Sequence, residues 1–298
     1  MPLDWDKLRI FHTVAEARSF TRAGTLLNLS QSAVSRQISA LEESLNTPLF
    51  HRHARGLILT EHGEFLYNTV HEVFGKLSMA EAILQDARDS PQGVLKVTAT
   101  VAFGSFWLAA RIRNFVEAYP QINVRVLLDD RELDLGMREA DVAVRLHKPK
   151  QPDLVQRRLM SVHIHACASR DYVAAHGMPR TIDDLDRHRL IIYGDNAPET
   201  LSGVNWLADL GRPPGRPREA VLRINNIYGL VQAVSSGLGI AGIPDYISRD
   251  RPDIVRVLPE IDGPTFETYF VYPEELRNSK KIQVFRDFLI GAVTDTEF

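Results

Sequence analysis

The segment from Ser30 to Leu45, SQSAVSRQISALEESL, constrains the fold of this chain more than any other. At 3.6 residues per turn, four apolar residues fall on one stripe and predict an amphipathic helix over 31–45. These residues are Val34, Ile38, Leu41 and Leu45. Ser30 precedes the helix, where its hydroxyl can accept from an otherwise unpaired backbone N–H and cap the first turn.

The other side of this predicted helix carries short polar or positive side chains. They are Gln31, Ser32, Ser35, Arg36 and Ser39. Such side chains suit a helix in the DNA major groove, where Arg can bind guanine, Gln can pair with adenine and Ser can donate to bases or phosphates. The alternative is an ordinary surface helix. Lys and Glu usually dominate such a surface, whereas here the first acidic residues are Glu42 and Glu43.

The neighbouring segments predict a helix-turn-helix with a wing. Residues 5–17 and 21–27 have helical patterns, and a tight turn through Asn28 and Leu29 leads to the helix at 31–45. Gly24 costs the second helix about 1 kcal/mol against Ala, and its small size permits close helix packing. Over 49–63, apolar residues bracket a polar tip and predict a two-stranded ribbon. That tip contains His51, Arg52, His53, Arg55 and Gly56.

An arginine-rich ribbon tip of this kind commonly reaches phosphate or the minor groove, although a solvated hairpin turn is the simpler alternative. Charge favours the contact with DNA. Between Arg18 and Arg55 there are five arginines against two glutamates, whereas the whole chain has a net charge of −3. A local basic patch on an acidic protein suits a reader of specific sites rather than a protein that coats nucleic acid.

A long helix is predicted from Thr60 to about Asp89, with apolar residues at alternating spacings of four and three. They are Leu66, Val70, Val73, Leu77, Ala80, Leu84 and Ala87. This is a heptad seam, and a long helix with one narrow seam requires a partner. Pairing with a second copy is the simplest solution, and packing along the chain's own core is the alternative. The segment SPQG at 90–93 marks the end of the helix.

From Val94 onward strands and helices alternate, which predicts a mainly parallel, doubly wound α/β sheet in two lobes with a cleft between them. Ligands of open α/β sheets bind at the carboxyl ends of strands. The segment 100–105 is such a place, because it joins a strand to a helix N-terminus. The predicted elements include a helix at 132–139, separate strands at 154–160 and 163–169, a strand at 267–272 and a closing helix at 280–293.

Composition limits the class of protein. No run of about 18 apolar residues could span a bilayer, and the first ten residues, MPLDWDKLRI, resemble neither a signal nor a transit peptide. We therefore expect a cytoplasmic protein with no membrane partner. The single cysteine, Cys167, excludes an intramolecular disulfide.

Residues 19–63 closely resemble the DNA-binding segment of LysR-type transcriptional regulators. They contain that family's Ser-Gln-Ser-x-x-Ser, Leu-Glu, Leu-Phe, arginine-rich wing and Leu-Thr-x-x-Gly in order. Looser similarity continues through DVAVR at 141–145 and SGLGIAGIP at 236–244. The resemblance implies a winged helix-turn-helix at 1–63, a dimerising linker helix at 64–90 and a two-lobed α/β effector domain, like a periplasmic binding protein, at 91–298. Its first lobe would comprise 91–162 and 266–298, and its second lobe 163–265.

The resemblance also implies a role in transcription rather than catalysis. Such proteins bind promoter DNA as dimers of dimers, and a small-molecule effector in the cleft alters DNA bending; RNA polymerase is a further expected partner, and no cofactor is expected. The predicted DNA-binding residues are Thr21, Gln31, Ser32, Ser35, Arg36, Arg52, His53 and Arg55. The predicted effector-binding residues are Thr100, Ala102, Phe103, Asp129, Arg145, Asn196, Thr200 and Asn226.

Three other interpretations compete with this one. His163, His165 and Cys167 alternate on one predicted strand face, so a redox- or metal-responsive regulator is the main alternative. An enzyme or solute-binding module with a vestigial N-terminal domain is another, but it leaves the helix at 31–45 without a purpose. GLGIAG at 237–242 matches a dinucleotide-binding pattern, yet a helix precedes it and a strand follows, the reverse of the required context.

Overall fold

The computed structural model describes residues 4–53, 56–85, 90–194, 197 and 201–294, with the backbone alone for residues 52, 53, 56 and 82–85. Internal contacts divide the chain into two units, Met1–Ala82 and Ile83–Phe298. The division falls inside the predicted linker helix. Within the described ranges, no helix is long and apolar enough to cross a membrane.

The first unit contains the predicted helix-turn-helix and wing. Its elements are α1 (Trp5–Ala17), α2 (Phe20–Leu27), α3 (Gln31–Leu45), the antiparallel strands β1 (Phe50–His53) and β2 (Gly56–Leu59), and α4 (Glu61–Gln85). Helix α2 begins one residue earlier than predicted, because Ser19 is its N-cap: the Ser19 hydroxyl accepts from the Arg22 backbone N–H.

Helix α3 has the bounds that its sequence predicts. The Ser30 hydroxyl accepts from the Ala33 N–H at 3.2 Å, which caps the first turn. Val34 and Ile38 are completely buried, so the apolar stripe faces the core of the unit. Burial of side chains of this size contributes about 1.5–3 kcal/mol each. The helix ends at Asn46, whose left-handed backbone conformation closes the last turn.

Gly24 allows the close packing between α2 and α3 that the sequence predicts. A Cβ atom at this position would lie 2.7 Å from the carbonyl oxygen of Leu29. The same turn is closed by the Leu29 N–H, which donates to the carbonyl of Gly24 at 2.9 Å. Glycine at this position therefore sets the distance between the two helices of the motif.

Two polar side chains fix the wing and the start of α4. A carboxylate oxygen of Glu42 accepts from the N–H of Leu49 at 2.7 Å and from that of Phe50 at 3.2 Å. The Thr60 hydroxyl donates to the carbonyl of Pro48 and accepts from the N–H of Gly63, both at 2.9 Å. Residues of the Leu-Glu, Leu-Phe and Leu-Thr-x-x-Gly patterns are therefore hydrogen-bonded to one another around a single turn.

Helix α4 begins its apolar seam inside the first unit. Val70 is buried in the core, and Leu66 packs against the same cluster. Further along the helix, Val73 and Leu77 remain 39% and 51% exposed. The first residues of the seam therefore pack on the chain's own core and the next ones remain open, and pairing with a second copy stays a prediction. The Leu84 side chain and Ala87 lie outside the described residues.

The second unit is a two-lobed α/β structure. Its strands are β3 (Gly93–Ala99), β4 (Ile122–Leu128), β5 (Val142–Arg145), β6 (Leu154–Ser169), β7 (Leu190–Tyr193), β8 (Ala220–Ile224), β9 (Ala241–Pro244), β10 (Ile254–Arg256) and β11 (Thr265–Pro273). Its helices are a π-helical segment (Phe103–Leu108), α5 (Ala109–Ala118), α6 (Arg170–His176), α7 (Trp206–Asp209), α8 (Ile227–Ser235), α9 (Asp245–Ser248) and α10 (Lys280–Thr294), with short 3₁₀ turns at Asp183–Arg187 and Glu274–Leu276.

Strand β6 is shared by the two lobes. In the first lobe the strand order is β4-β3-β5-β11-β6, and in the second lobe β6 pairs with β9 and β10 while β7 pairs with β8. The two predicted strands at 154–160 and 163–169 are one strand, because β11 pairs with it from Leu154 as far as His163. β6 pairs antiparallel with β9, β10 and β11, so the sheet is mixed rather than mainly parallel.

The predicted helix at 132–139 is wrong, since the structure has turns there. The Asp134 carboxylate accepts from the Met137 N–H at 3.0 Å, and Arg138 adopts a positive φ of 61°. Local side-chain bonds of this kind compete with the helical ladder.

GLGIAG lies as the sequence predicts: α8 precedes Gly237 and β9 follows it, so the segment lacks the geometry of a dinucleotide-binding loop.

Candidate nucleic-acid interface and effector cleft

The front of α3 presents exposed hydrogen-bonding groups. Gln31, Ser32 and Arg36 are exposed, and Ser35 is half-buried. Among the described residues, the Arg36 guanidinium has no hydrogen-bond or ion-pair partner. The back of the helix is buried and the first turn is capped, so these side chains project from a fixed element. The arrangement has a rigid base and accessible donors, which direct base readout requires.

The remaining predicted DNA-binding residues flank this surface in sequence. Thr21 is exposed in the first turn of α2. The wing backbone pairs Arg52 with Leu57 and His53 with Gly56. The side chains of Arg52 and His53, and the whole of Arg55, lie outside the described residues, so their contact with DNA stays a prediction.

Polar groups of the second unit gather where β3 and β4 end, at the edge where the sequence predicts the cleft. Thr100 follows β3 and is 6% exposed, and within the described structure its buried hydroxyl has no hydrogen-bond partner. The next backbone N–H, that of Val101, donates to a carboxylate oxygen of Asp130 at 3.0 Å. A free hydroxyl and a carboxylate therefore lie at the start of the helical segment that follows β3.

Asp130 also reaches the second lobe. The Tyr193 hydroxyl, at the end of β7, donates to the other oxygen of the Asp130 carboxylate at 3.3 Å. Burial raises the pKa of Asp130, while its two hydrogen bonds act in the opposite direction. A ring stack between Phe106 and Tyr228, with centroids 5.3 Å apart, makes a second contact between the lobes. The two lobes therefore touch through this polar contact and through aromatic contacts, which also include Phe103 against Tyr246 with centroids 6.3 Å apart.

Three predicted cleft residues are buried, and a ligand contact by any of them stays a prediction. Ala102 and Phe103 are buried, and the Phe103 ring stacks on Trp107. Arg145 is 3% exposed and donates to the Asp129 carbonyl at 2.9 Å and to the Thr98 hydroxyl at 2.8 Å. Its guanidinium thus ties the ends of neighbouring strands together.

The other predicted cleft residues are spread around the site. The Asp129 carboxylate binds the Arg131 guanidinium at 2.9 Å, and this bond lowers the pKa of Asp129. Asn226 caps α8, since its side-chain oxygen accepts from the Gly229 N–H at 2.8 Å. Asn196 and Thr200 lie outside the described residues. A ligand contact by any of these four stays a prediction.

Sequence reasoning missed Asp130 and Tyr193. Asp129 and Asp130 both follow β4. The prediction chose Asp129, although it is the Asp130 carboxylate that accepts from the Val101 N–H. Tyr193 is the last residue of β7, so the rule that placed Thr100 in the cleft applies to it equally. A consistent search of the carboxyl ends of strands in both lobes would have found the pair.

Cys167 does not have the environment of a redox sensor. Its side chain is completely buried, and burial raises the pKa of the thiol to about 12. The thiolate is the reactive form, so burial disfavours the reactive state of this cysteine at neutral pH. His163 is tied to Asp245, whose carboxylate accepts from its backbone N–H at 3.1 Å and contacts its ring at 3.0 Å. Within the described ranges, Cys167 and the two histidines form no metal-binding group.

Two family models match the chain. The bacterial regulatory helix-turn-helix protein model of the lysR family matches residues 5–64, and the LysR substrate binding domain model matches residues 88–293. Together they cover both units. The chain belongs to the LysR family. It is a LysR-type transcriptional regulator with a DNA-binding helix-turn-helix and an effector-binding domain, as the sequence predicts.

Relatives and solved structures agree over nearly the whole length. The transcriptional regulator DmlR of Escherichia coli is 29% identical over 287 residues, covering 95% of this chain and 92% of DmlR. The full-length Vibrio cholerae virulence activator AphB is 25% identical with a TM-score of 0.63, covering 97% of this chain and 99% of AphB. CrgA, a LysR-type regulator from Neisseria meningitidis, is 26% identical with a TM-score of 0.61, covering 98% and 99%.

Proposed function

We propose that this LysR-type regulator reads its operator through the front of α3, as a dimer joined by the exposed seam of α4. One observation carries the proposal: α3 has a buried apolar back and exposed donors on its front, of which the Arg36 guanidinium has no partner among the described residues. In this assignment residues 1–63 bind DNA, 64–90 dimerise and 91–298 bind the effector.

The chemistry of the front of α3 suggests a division of roles. Arg36 is suited to a bidentate contact with guanine, and Gln31 to a contact with adenine. Ser32 and Ser35 are suited to phosphates or bases, and Arg52, His53 and Arg55 on the wing to the flanking backbone. So few side chains read only a short sequence. Specificity for one site in a genome then requires two helices acting together.

Dimerisation through α4 rests on the exposed part of its seam. Val73 and Leu77 lie one helical turn apart with 39% and 51% of their surfaces exposed. A second copy of the same helix can cover such a stripe by heptad packing. Two dimers would associate further into the tetramer that the family resemblance implies.

Leu77→Glu is expected to dissociate the dimer, because a carboxylate in the seam would be buried without a partner. The double variant Val73→Glu/Leu77→Glu should be more strongly affected. Light scattering coupled to size exclusion measures the mass directly. Asn68→Glu is the matched control, since it places the same charge on α4 away from the seam and should leave the mass unchanged. A dimer that survives the double variant would show that another surface joins the subunits.

We further propose that the effector binds between Thr100 and Asp130 of the first lobe and Tyr193 of the second. The buried Thr100 hydroxyl is unpartnered within the described structure, and the Tyr193–Asp130 bond spans the cleft. A small polar molecule can use the free hydroxyl and replace the tyrosine bond with its own. Binding there changes the contact between lobes, which is how an effector would act on transcription.

Compounds that stabilise the wild type in a thermal-shift screen of dicarboxylates, amino acids and aromatic acids should bind Thr100→Val and Asp130→Asn about tenfold or more weakly. Each change leaves one polar group of the site without a partner, at about 1–3 kcal/mol. Titration calorimetry gives the affinities. Thr265→Val makes the same change at an exposed strand residue and should retain full affinity. Equal affinity in all four proteins would place the effector elsewhere.

The remaining assignments follow from the role in transcription. A regulator of promoter DNA acts in the cytoplasm, and at a promoter it is placed to contact RNA polymerase. We propose no catalytic role for the cleft. The relatives are transcriptional regulators, and the polar groups of the cleft are accounted for by ligand binding.

A further inference from the structure

A cluster of polar side chains joins α1 to α4 in the first unit. His12 and Glu16 lie four residues apart on α1, and Tyr67 and His71 lie four residues apart on α4. Residues at this spacing share a helix face, so both pairs project into the same space. The Nε2 atom of His12 lies 2.7 Å from the Nδ1 atom of His71, and the Tyr67 hydroxyl donates to the Glu16 carboxylate.

Three of these side chains offer a set of metal ligands. One ligand atom each from His12, Glu16 and His71 lies within 4.8 Å of the other two. Two imidazoles and one carboxylate form a donor set that suits Zn²⁺ and related divalent transition metals, with a fourth position left for water. Among the described residues, no other group of three or more His, Cys, Asp or Glu side chains meets this condition.

Neighbouring side chains hold His12 and Glu16 in place. His12 is half-buried, and its ring stacks with those of Tyr67 and His71 at centroid distances of 5.4 and 5.0 Å. The Tyr67 hydroxyl holds the Glu16 carboxylate in place, as partners of metal ligands commonly do.

The movement needed to admit an ion is small. In a tetrahedral site with Zn–N distances near 2.1 Å, ligand nitrogens lie about 3.4 Å apart. The two imidazole nitrogens now share a hydrogen bond at 2.7 Å. The nitrogen that donates this bond would transfer its hydrogen to the other nitrogen of its ring through solvent, which leaves both rings neutral. Glu16 is exposed, so an ion can enter from water.

We propose that His12, Glu16 and His71 bind one divalent transition-metal ion that links α1 of the helix-turn-helix to α4. The ion would replace the hydrogen bond between the imidazoles with bonds to a common centre. It would stabilise the packing of α4 on the DNA-reading helices by RT ln(1 + c/Kd), where c is the free metal concentration and Kd the dissociation constant of the site. This site lies in the first unit and is separate from the effector cleft.

Titration of the tag-free, metal-stripped full-length protein with Co²⁺ tests the proposal. We expect visible d–d absorption that saturates at one ion per chain and is removed by Zn²⁺. His71→Ala should lower the affinity about a hundredfold and Glu16→Gln about tenfold, in the range of ligand and orienting changes at known sites. His62→Ala removes an exposed histidine from the first turn of the same helix and should bind Co²⁺ as the wild type does.

Two further measurements separate loss of the site from loss of the fold. Circular dichroism in EDTA should give the same helix content for all four proteins, and Zn²⁺ should raise the melting temperature of the wild type and His62→Ala more than that of Glu16→Gln or His71→Ala. Glu16 is exposed, so Glu16→Gln reports on binding even where His71→Ala is unstable. A wild type that gives no Co²⁺ absorption overturns the proposal. So does Co²⁺ binding of unchanged affinity in both Glu16→Gln and His71→Ala, which would place the ion elsewhere.

Discussion

Arg36→Ala is expected to lower the preference of the regulator for its operator about 5- to 150-fold for each subunit bound, so that the factors multiply for a dimer. This range corresponds to the loss of about 1–3 kcal/mol per subunit for one bidentate contact with a base. Arg36 is exposed on the front of α3, and no described residue occupies its guanidinium. The effect should fall on discrimination between sequences. Fluorescence anisotropy with a site selected from random DNA by the wild type, and with a scrambled duplex of equal length, measures both affinities.

Two control variants separate base reading from charge. Arg36→Lys keeps the positive charge, so its salt dependence should match the wild type, but it loses the planar fork that binds guanine and should lose most of the preference. Arg113→Ala removes an exposed arginine from α5 in the second unit and should change neither affinity. If Arg36→Ala retains the full preference for the selected site, the assignment of α3 as the reading helix is wrong.

Gly63→Ala is expected to destabilise the first unit by about 1–3 kcal/mol or more, as overpacking of a close contact does. A Cβ atom there would lie 2.1 Å from the carbonyl oxygen of Leu49. That carbonyl cannot withdraw easily, because it accepts from the Thr60 N–H at 2.9 Å and Leu49 is 1% exposed. The start of α4 would therefore shift away from the turn before the wing. Urea unfolding followed by circular dichroism gives the change in stability.

Gly291 provides the matched control, since it lies inside helix α10, where an added Cβ atom would meet no neighbouring described atom within 4 Å. Gly291→Ala should be neutral or stabilising by up to about 1 kcal/mol, because alanine favours the helix. If Gly63→Ala lowers the free energy of unfolding and Gly291→Ala does not, the loss is due to the contact with Leu49 rather than to the substitution itself. Equal stability of Gly63→Ala and the wild type would contradict the close approach of α4 to the turn.

Sequence alone predicted the first unit well, because its information is local. The apolar spacing of α3, its serine cap and the following wing lie within about 30 consecutive residues, where helix periodicity and capping rules apply directly. Val34 and Ile38 are buried as that spacing requires. The seam of α4 was predicted less completely, since a repeat of apolar residues does not tell which members pack within the unit and which remain exposed.

The sequence predicted the α/β class of the second unit but not the pairing of all its strands. The continuity of β6 depends on its pairing with β11, which lies about a hundred residues later in the chain, and no local pattern reports such pairing. The contact between Asp130 and Tyr193 depends in the same way on how two lobes close. The paired histidines of α1 and α4 show the same limit, since His12 and His71 are 59 residues apart in sequence.

The connection between the lobes restricts the motion that an effector can induce. The chain crosses between the lobes twice, once within β6 and once just before β11, and the two crossings are joined by the Ile164 N–H, which donates to the Pro264 carbonyl at 3.0 Å. A Cβ atom at Gly263 would lie 2.1 Å from the Ile164 carbonyl oxygen. The two crossing segments are therefore so close that any larger residue at position 263 would force them to rearrange. The lobes therefore share a two-stranded torsional hinge. Opening and closing must twist or bend this ribbon, and sliding of one lobe across the other would break its hydrogen bonds.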